Sequence, residues 1–506
     1  MNRVEVDTLE QDVLEVLRLV RSVKNSFAPI NRIPPEILVL IPRHYDKACT
    51  DQDLIALTHV CRGWRDSFTS CSSLWTNLDP TNVDKTRTYI QRSKSSPLEM
   101  FVGGEDMDNN NLNSASLLVV PHIRRLKSLI VWKGSSPNAL KHFYCHVPLL
   151  ERLVIDLAAP EAPALDSALF KGDLSSLCML SLGGVVTTLP WNNLANLRMF
   201  KLTSCPPRPN FITQLLDLFE CAPVLCTIEL KDSIPTSSDT HPGRTVSLPR
   251  LNTLAITARP GHSILLNHLL IPTGASLILN FGFRGTTSPL RVHLPETFAN
   301  LKNLSHITII HLLLDEVRKY VRFSGPSGVL NVLARCEGGL VSRRDMDRLI
   351  LRSLSPSILS TAQRLTVSKY QPLEPAEIEK SPAFRTLSHM NKLRTLTLTK
   401  CHNLPFILAL NPQTNPSRLM LCPHLAALVL HIKSQDQFHI RDLLSMTKQR
   451  ALRGAKLSSI TIVGLNQLAS AKVFRLREHV IHVDYKADDV SPNWDHLPGD
   501  SGDEDE

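Results

Sequence analysis

From residue 126 onward the chain repeats one short hydrophobic figure. Blocks of the form Leu-x-x-Leu-x-Leu occur at 126–131, 150–155, 177–182, 197–202, 225–230, 251–256, 304–309, 393–398, 425–430 and 457–462. Their central apolar residues are Leu129, Leu153, Leu180, Phe200, Ile228, Leu254, Ile307, Leu396, Leu428 and Ile460. Alternation inside each block predicts a short strand with one buried face. Weaker copies are expected at 276–281 and 362–367, and another at 329–333. Turns such as 203–207 and helical spacing such as 211–219 lie between the blocks.

Upstream, the period changes. Val6, Leu9, Val13, Leu17, Val20 and Val23 form a helical stripe over 4–24, bordered by Glu10, Asp12, Glu15, Arg18 and Arg21. A short coiled coil fits this stripe; three heptads are few, and packing against the chain's own body is the preferred reading. Three short helices are expected between 31 and 79. Pro34 and Pro35 open the first, Thr50-Asp51-Gln52-Asp53 has capping-box spacing for the second, and Gly63 predicts a break near Cys61. A helix over 82–94 and a strand over 98–102 follow, with a polar loop over 103–113. The tail, 486–506, is acidic and expected to be disordered.

Strand, turn and helix recurring every twenty to thirty-two residues resemble a degenerate leucine-rich repeat, in which stacked units share one continuous core. The expected fold class is therefore α/β: an N-terminal three-helix unit, then a leucine-rich-repeat-like solenoid. The expected boundaries are 1–28 (N-terminal helix), 29–80 (three-helix unit), 81–116 (connector), 117–485 (solenoid) and 486–506 (tail). Two α/β domains with parallel sheets are the competing arrangement. The Asn that ordinary repeats carry after the strand is absent, and Cys205 and Cys401 stand near that place. The concave face of a solenoid would present Trp132, Asp156, Ser181, Lys201, Thr203, Glu229, Lys231, Thr257, Thr308, Thr397, Thr399, His431 and Thr461. Of these, Trp132, Asp156, Lys201, Glu229, Lys231 and His431 are the candidate ligand contacts.

The 31–79 stretch resembles an F-box. The residues that carry the likeness are Ile33-Pro34-Pro35-Glu36-Ile37, Asp53-Leu54, Val60-Cys61-Arg62-Gly63-Trp64-Arg65 and Leu74-Trp75, in the family's order and spacing. Ile33 replaces the usual Leu, and Pro42 would interrupt the first helix, costing about 3 kcal/mol if the helix ran through it. The helix–Ser-Pro–strand connector is similar to that of fungal F-box proteins. The resemblance implies a module that binds the Skp-type adaptor of a cullin ubiquitin ligase. Ile33, Pro34, Ile37, Leu54, Leu57, Val60, Cys61, Trp64, Leu74 and Trp75 would carry that contact. The repeats would then hold a protein substrate. An adaptor-binding scaffold outside any ligase, or a repeat protein with a vestigial F-box, are the alternatives.

Composition narrows the remaining classes. The chain has 506 residues, 43% hydrophobic and 20% charged, with a formal charge of +9. Its basic residues are dispersed, whereas a nucleic-acid surface gathers them on one face. Acidic residues at 5, 7, 10 and 12 are incompatible with a signal peptide, no apolar run is long enough for a bilayer span, and the eleven scattered cysteines read as reduced thiols of the cytoplasm or nucleus. No nucleophile elbow, phosphate loop or H-E-x-x-H motif occurs. Cys221/Cys226 and Cys401-His402/Cys422-Pro423-His424 lack the tight four-ligand spacing of a zinc site. No catalytic role, metal or cofactor is expected.

Overall fold

The computed structural model describes residues 3–44, 51–103, 114, 116–132, 140, 143–157, 164–165, 169–172, 174–187, 193–206, 210–234, 243–258, 263–284, 300–314, 318–337, 356–369, 382–414, 419–432, 439–464 and 470–486. The tail, most of the 103–113 segment and Thr50 of the expected capping box lie outside these. The chain divides into two compact units, Met1–Leu177 and Cys178–Glu506.

The first unit begins with helix α1 (Arg3–Ser26), none of whose residues is buried. This corrects the expectation that its apolar stripe packs on the chain's own body. Three short helices follow: α2 (Pro35–Leu38), α3 (Asp51–Thr58) and α4 (Arg62–Ser70). Pro34 and Pro35 sit at the start of α2, where a missing N–H costs nothing. The helix ends at Leu38, so Pro42 falls in a separate 3-10 turn, Ile41–His44, and breaks no helix. Cys61, in extended geometry, separates α3 from α4. Helix α5 (Val83–Arg92) is capped by Asn82, whose side chain accepts from the Lys85 amide at 3.0 Å.

Strands β1 (Asn77–Leu78), β2 (Leu98–Val102), β3 (Leu126–Val131) and β4 (Arg152–Asp156) then pair successively in parallel. The connector strand is thus part of the same sheet as the first two repeat blocks.

The second unit carries strands β5 (Met179–Gly183), β6 (Met199–Thr203), β7 (Thr227–Lys231), β8 (Thr253–Ala258) and β9 (Ser276–Arg284). They pair in parallel and in register, with Leu180, Phe200, Ile228, Leu254 and Leu277 opposite one another and fully buried. Each such side chain contributes roughly 1.5–3 kcal/mol of burial, which fixes the register because a slip of one residue would turn the row to solvent.

Strands β10 (Ile309–Leu314), β11 (Arg318–Gly325) and β12 (Gly328–Glu337) form an antiparallel meander, with β12 beside β9. Parallel pairing resumes from β10 to β13 (Arg364–Ser368), β14 (Thr395–Thr399), β15 (Ala427–His431), β16 (Leu457–Val463) and β17 (Val480–Lys486).

Two expectations are corrected here. The residue in register with Leu365 and Leu396 is Ile310, not Ile307, so the 304–309 block lies ahead of its strand and Thr308 is not a strand position. Residues 329–333 do form a strand, but as one arm of a hairpin closed by Pro326 and Ser327. Gly328 at that turn has φ +142, and a Cβ there would lie 2.7 Å from the Ala275 carbonyl oxygen; both conditions favour glycine. The meander is buried on both faces: Leu312, Val321 and Val332 on one, Leu313, Tyr320 and Leu333 on the other.

A corner recurs after the parallel strands. Gly184, Ser204, Asp232, Lys369, Lys400 and Gly464 each follow a strand with positive φ. The amides of Gly184, Ser204, Asp232, Lys369 and Gly464 donate to a carbonyl at or near the end of the neighbouring strand, at 2.7–3.1 Å. A non-glycine residue in this conformation costs on the order of 1–3 kcal/mol, and the repeated bond offsets it. Cys205 and Cys401, one residue further on, point their thiols at the carbonyls of Leu182 (3.4 Å) and Val367 (3.0 Å) on the preceding strand. Helices α6 (Phe211–Cys221), α7 (Leu404–Leu410), α8 (Ile440–Leu452) and α9 (Ser470–His479) occupy crossovers between parallel strands.

Candidate functional site

In the first unit, α2 and α3 both pack on α4. Leu38, Leu54, Phe68, Trp75 and Tyr89 make the core. Trp75 is fully buried; its indole N–H donates to the Phe68 carbonyl at 2.8 Å, and its ring meets Tyr89 edge-on at 5.0 Å. The Arg92 guanidinium stacks over the same indole at 4.3 Å.

The ten residues expected to carry a partner contact therefore divide. Leu54 and Trp75 are core groups, not surface groups. Ile37 and Val60 stand 53% and 56% exposed. Pro34 is exposed as well, and Ile33, Leu57, Cys61, Trp64 and Leu74 are half-buried. Phe27, Ile30 and Ile55 add further exposed apolar side chains nearby in sequence. A helical unit of about fifty residues buries too little of its surface to hide all of these.

Asn31 was not singled out by its pattern, yet it ties three segments together. Its Oδ1 accepts from the Trp64 indole N–H at 2.7 Å, and its Nδ2 donates to the Asn25 carbonyl at 2.7 Å. The Cys61 thiol faces the same Oδ1 at 3.9 Å. The amide thereby fixes the orientation of Trp64 between core and surface.

Asp79 anchors the entry to α5. Burial by itself raises its carboxyl, but the Thr81 hydroxyl and amide and the Lys85 ammonium, 3.1 Å away, hold it below its ordinary value of 3.8. A depressed carboxyl stabilises the fold above the unfolded-state pKa, and that stability is lost as pH falls through the folded-state value. Asp79→Asn keeps an acceptor for Thr81 but removes the charge. It should cost only about 0.5–1 kcal/mol at pH 7, given a side chain more than a third exposed. Thermal midpoints of the two proteins should converge as pH is lowered below 3.8.

The expected ligand-contact residues lie on strands or, for Trp132, directly after one, away from the leucine rows. Lys201 and Glu229 are cross-strand neighbours joined by a 3.1 Å ion pair, and Lys231 is exposed one position-pair further along β7. His431 ends β15, eight strands from β7. At about 4.8 Å per strand, no single small ligand spans that separation. Asp156 is half-buried, and Trp132, 45% exposed, directly follows β3 beside it. Thr399, expected on the same face, is 5% exposed and so is a core position.

Among the described residues no group of three or more His, Cys, Asp or Glu side chains is placed to hold a metal, no helix is long and apolar enough to cross a membrane, and Cys61, Cys71, Cys145, Cys178, Cys205, Cys221, Cys226, Cys401 and Cys422 are reduced thiols. Burial pushes the Cys422 thiol up to about 12, against the opposing influence of Arg450, so it stays protonated and unreactive.

The geometry of the first unit is that of a small helical module with a fixed tryptophan core and exposed apolar side chains. Residues 30–81 match the F-box-like family. The chain thus carries an F-box-like domain, a module that typically binds Skp-type adaptors. No curated protein matches the chain.

Proposed function

We propose that this protein is the substrate-recognition subunit of an SCF-type ubiquitin ligase. The F-box docks on the Skp-type adaptor and, through it, on a cullin. The strand array is a degenerate leucine-rich-repeat solenoid that holds a target protein. The F-box-like match over 30–81 carries the adaptor half of this reading. The solenoid half is supported by in-register parallel strands, shared leucine rows and the recurring left-handed corner. The chain itself catalyses nothing and takes no cofactor. Its contribution is proximity, which makes transfer to a bound target effectively intramolecular. Protein rather than nucleic acid is the ligand, and the cytoplasm or nucleus is the setting.

Ile37→Asp/Val60→Asp tests the docking assignment. Both side chains are exposed, so the variant should keep its circular dichroism and thermal midpoint. Burying two carboxylates at an apolar contact should weaken adaptor binding by at least about 100-fold. Unchanged adaptor affinity in the folded variant would remove Ile37 and Val60 from the interface.

A further inference from the structure

Ten of the twenty-four exposed large hydrophobic side chains among the described residues lie on α1, between 42% and 71% exposed: every Val and Leu from Val4 to Val23. A lone helix in water is marginal, and a long apolar surface of this kind marks an interface. Val6, Leu9, Val13, Val16, Val20 and Val23 follow spacings of three, four, three, four and three, the a/d repeat of a coiled coil. Val16 completes the seam, and Leu17 flanks it.

Charge selects the occupant and the direction. Glu5, Asp7, Glu10 and Asp12 load the first half with acid, against Arg3 alone, and Glu15 lies just past the middle. Arg18, Arg21 and Lys24 make the second half basic. Two parallel copies set like charges side by side, whereas two antiparallel copies set acid against base. Within the helix Arg18 and Glu15 pair, at 3.4 Å and both exposed, a contact worth little. The seam also reads identically in both directions. Antiparallel copies place Val6 opposite Val23, Leu9 opposite Val20, and Val13 opposite Val16, in six complementary layers. A membrane surface fits poorly, because interfacial helices carry Lys and Arg on the polar face, and here acids dominate the first half.

We propose that α1 is a self-association helix that joins two copies of this chain in an antiparallel coiled coil. The adaptor-docking residues belong to other helices, so this proposal and the adaptor assignment fail independently.

Sedimentation equilibrium of the full chain at micromolar concentration should give twice the chain mass of 56.5 kDa. Val13→Glu/Val16→Glu should give the monomer with the thermal midpoints of the folded units unchanged, since α1 contributes nothing to the core, and any helical signal lost should be that of α1 alone. For direction, Leu9→Cys and Val20→Cys chains of different tag length are mixed and oxidised, with wild type as background. Antiparallel pairing gives the mixed cross-link only, and parallel pairing gives each variant linked to itself. A wild-type monomer, a dimer that survives Val13→Glu/Val16→Glu, or self-linked products would each overturn the proposal. So would a monomer that binds phosphatidylcholine–phosphatidylserine vesicles through α1.

Discussion

Trp75→Ala should unfold the F-box helices while leaving the second unit folded. The indole is fully buried, donates to the Phe68 carbonyl, meets Tyr89 edge-on and is covered by the Arg92 guanidinium. Truncating a core tryptophan costs about 3–5 kcal/mol, a large part of what a small helical unit possesses. Chemical denaturation should show an early transition that wild type lacks, and adaptor binding should vanish with it. Trp75→Phe separates packing from hydrogen bonding. It keeps a ring against Tyr89 but leaves the Phe68 carbonyl unpaired, a loss of roughly 1–3 kcal/mol. If Trp75→Ala weakened the adaptor contact without any loss of stability, Trp75 would have to be a contact group and not a core group.

Arg450→Ala should destabilise the second unit by about 2–6 kcal/mol, since it leaves two buried carbonyls unpaired at roughly 1–3 kcal/mol each. Arg450 is fully buried in the last turn of α8, and its two terminal nitrogens donate to the carbonyls of Leu421 and Cys422, each at 2.8 Å. Burial pulls its pKa down, opposed by Cys422. The carbonyl end of α8 adds a favourable field for the cation. Truncation strands two buried carbonyls at a corner where Cys422 already has φ +48, and it opens a cavity. Lysine cannot reproduce the two-pronged contact, so Arg450→Lys should recover only part of the loss. The check is the denaturation midpoint of the second unit. A shift under about 1 kcal/mol would mean that the corner is held by its leucines alone.

These two residues also show where the sequence was legible. Strands with one buried face were readable because Leu180, Phe200, Ile228 and Leu254 alternate with polar neighbours at period two. The F-box was readable because its prolines, Cys61 and Trp64 fall at a fixed spacing. The meander was not. Leu312 and Leu313, Tyr320 and Val321, and Val332 and Leu333 are buried on both faces of the meander, so alternation is lost there, and Ile307 supplied a false register three residues early. The signal that marks it is local: two β-rich runs around Ser324-Gly325-Pro326-Ser327-Gly328, a hairpin pattern. Asn31 and Arg450 were hidden for a different reason. Each acts through partners far away in sequence, Asn31 through Trp64 and Arg450 through Leu421 and Cys422, and a lone Asn or Arg carries no periodicity. The exposure of α1 was also out of reach, since an amphipathic stripe has the same spacing whether it packs on its own chain or on another.

Cullin recruitment is the most direct test of the central claim. The full chain is mixed with purified cullin, with and without the Skp-type adaptor, and resolved by size exclusion. The receptor reading expects cullin to co-elute with the chain only when adaptor is present, and Ile37→Asp/Val60→Asp to abolish that co-elution. Adaptor bound without cullin would contradict the ligase role and leave an adaptor-binding scaffold. No adaptor bound at all would contradict the F-box reading itself.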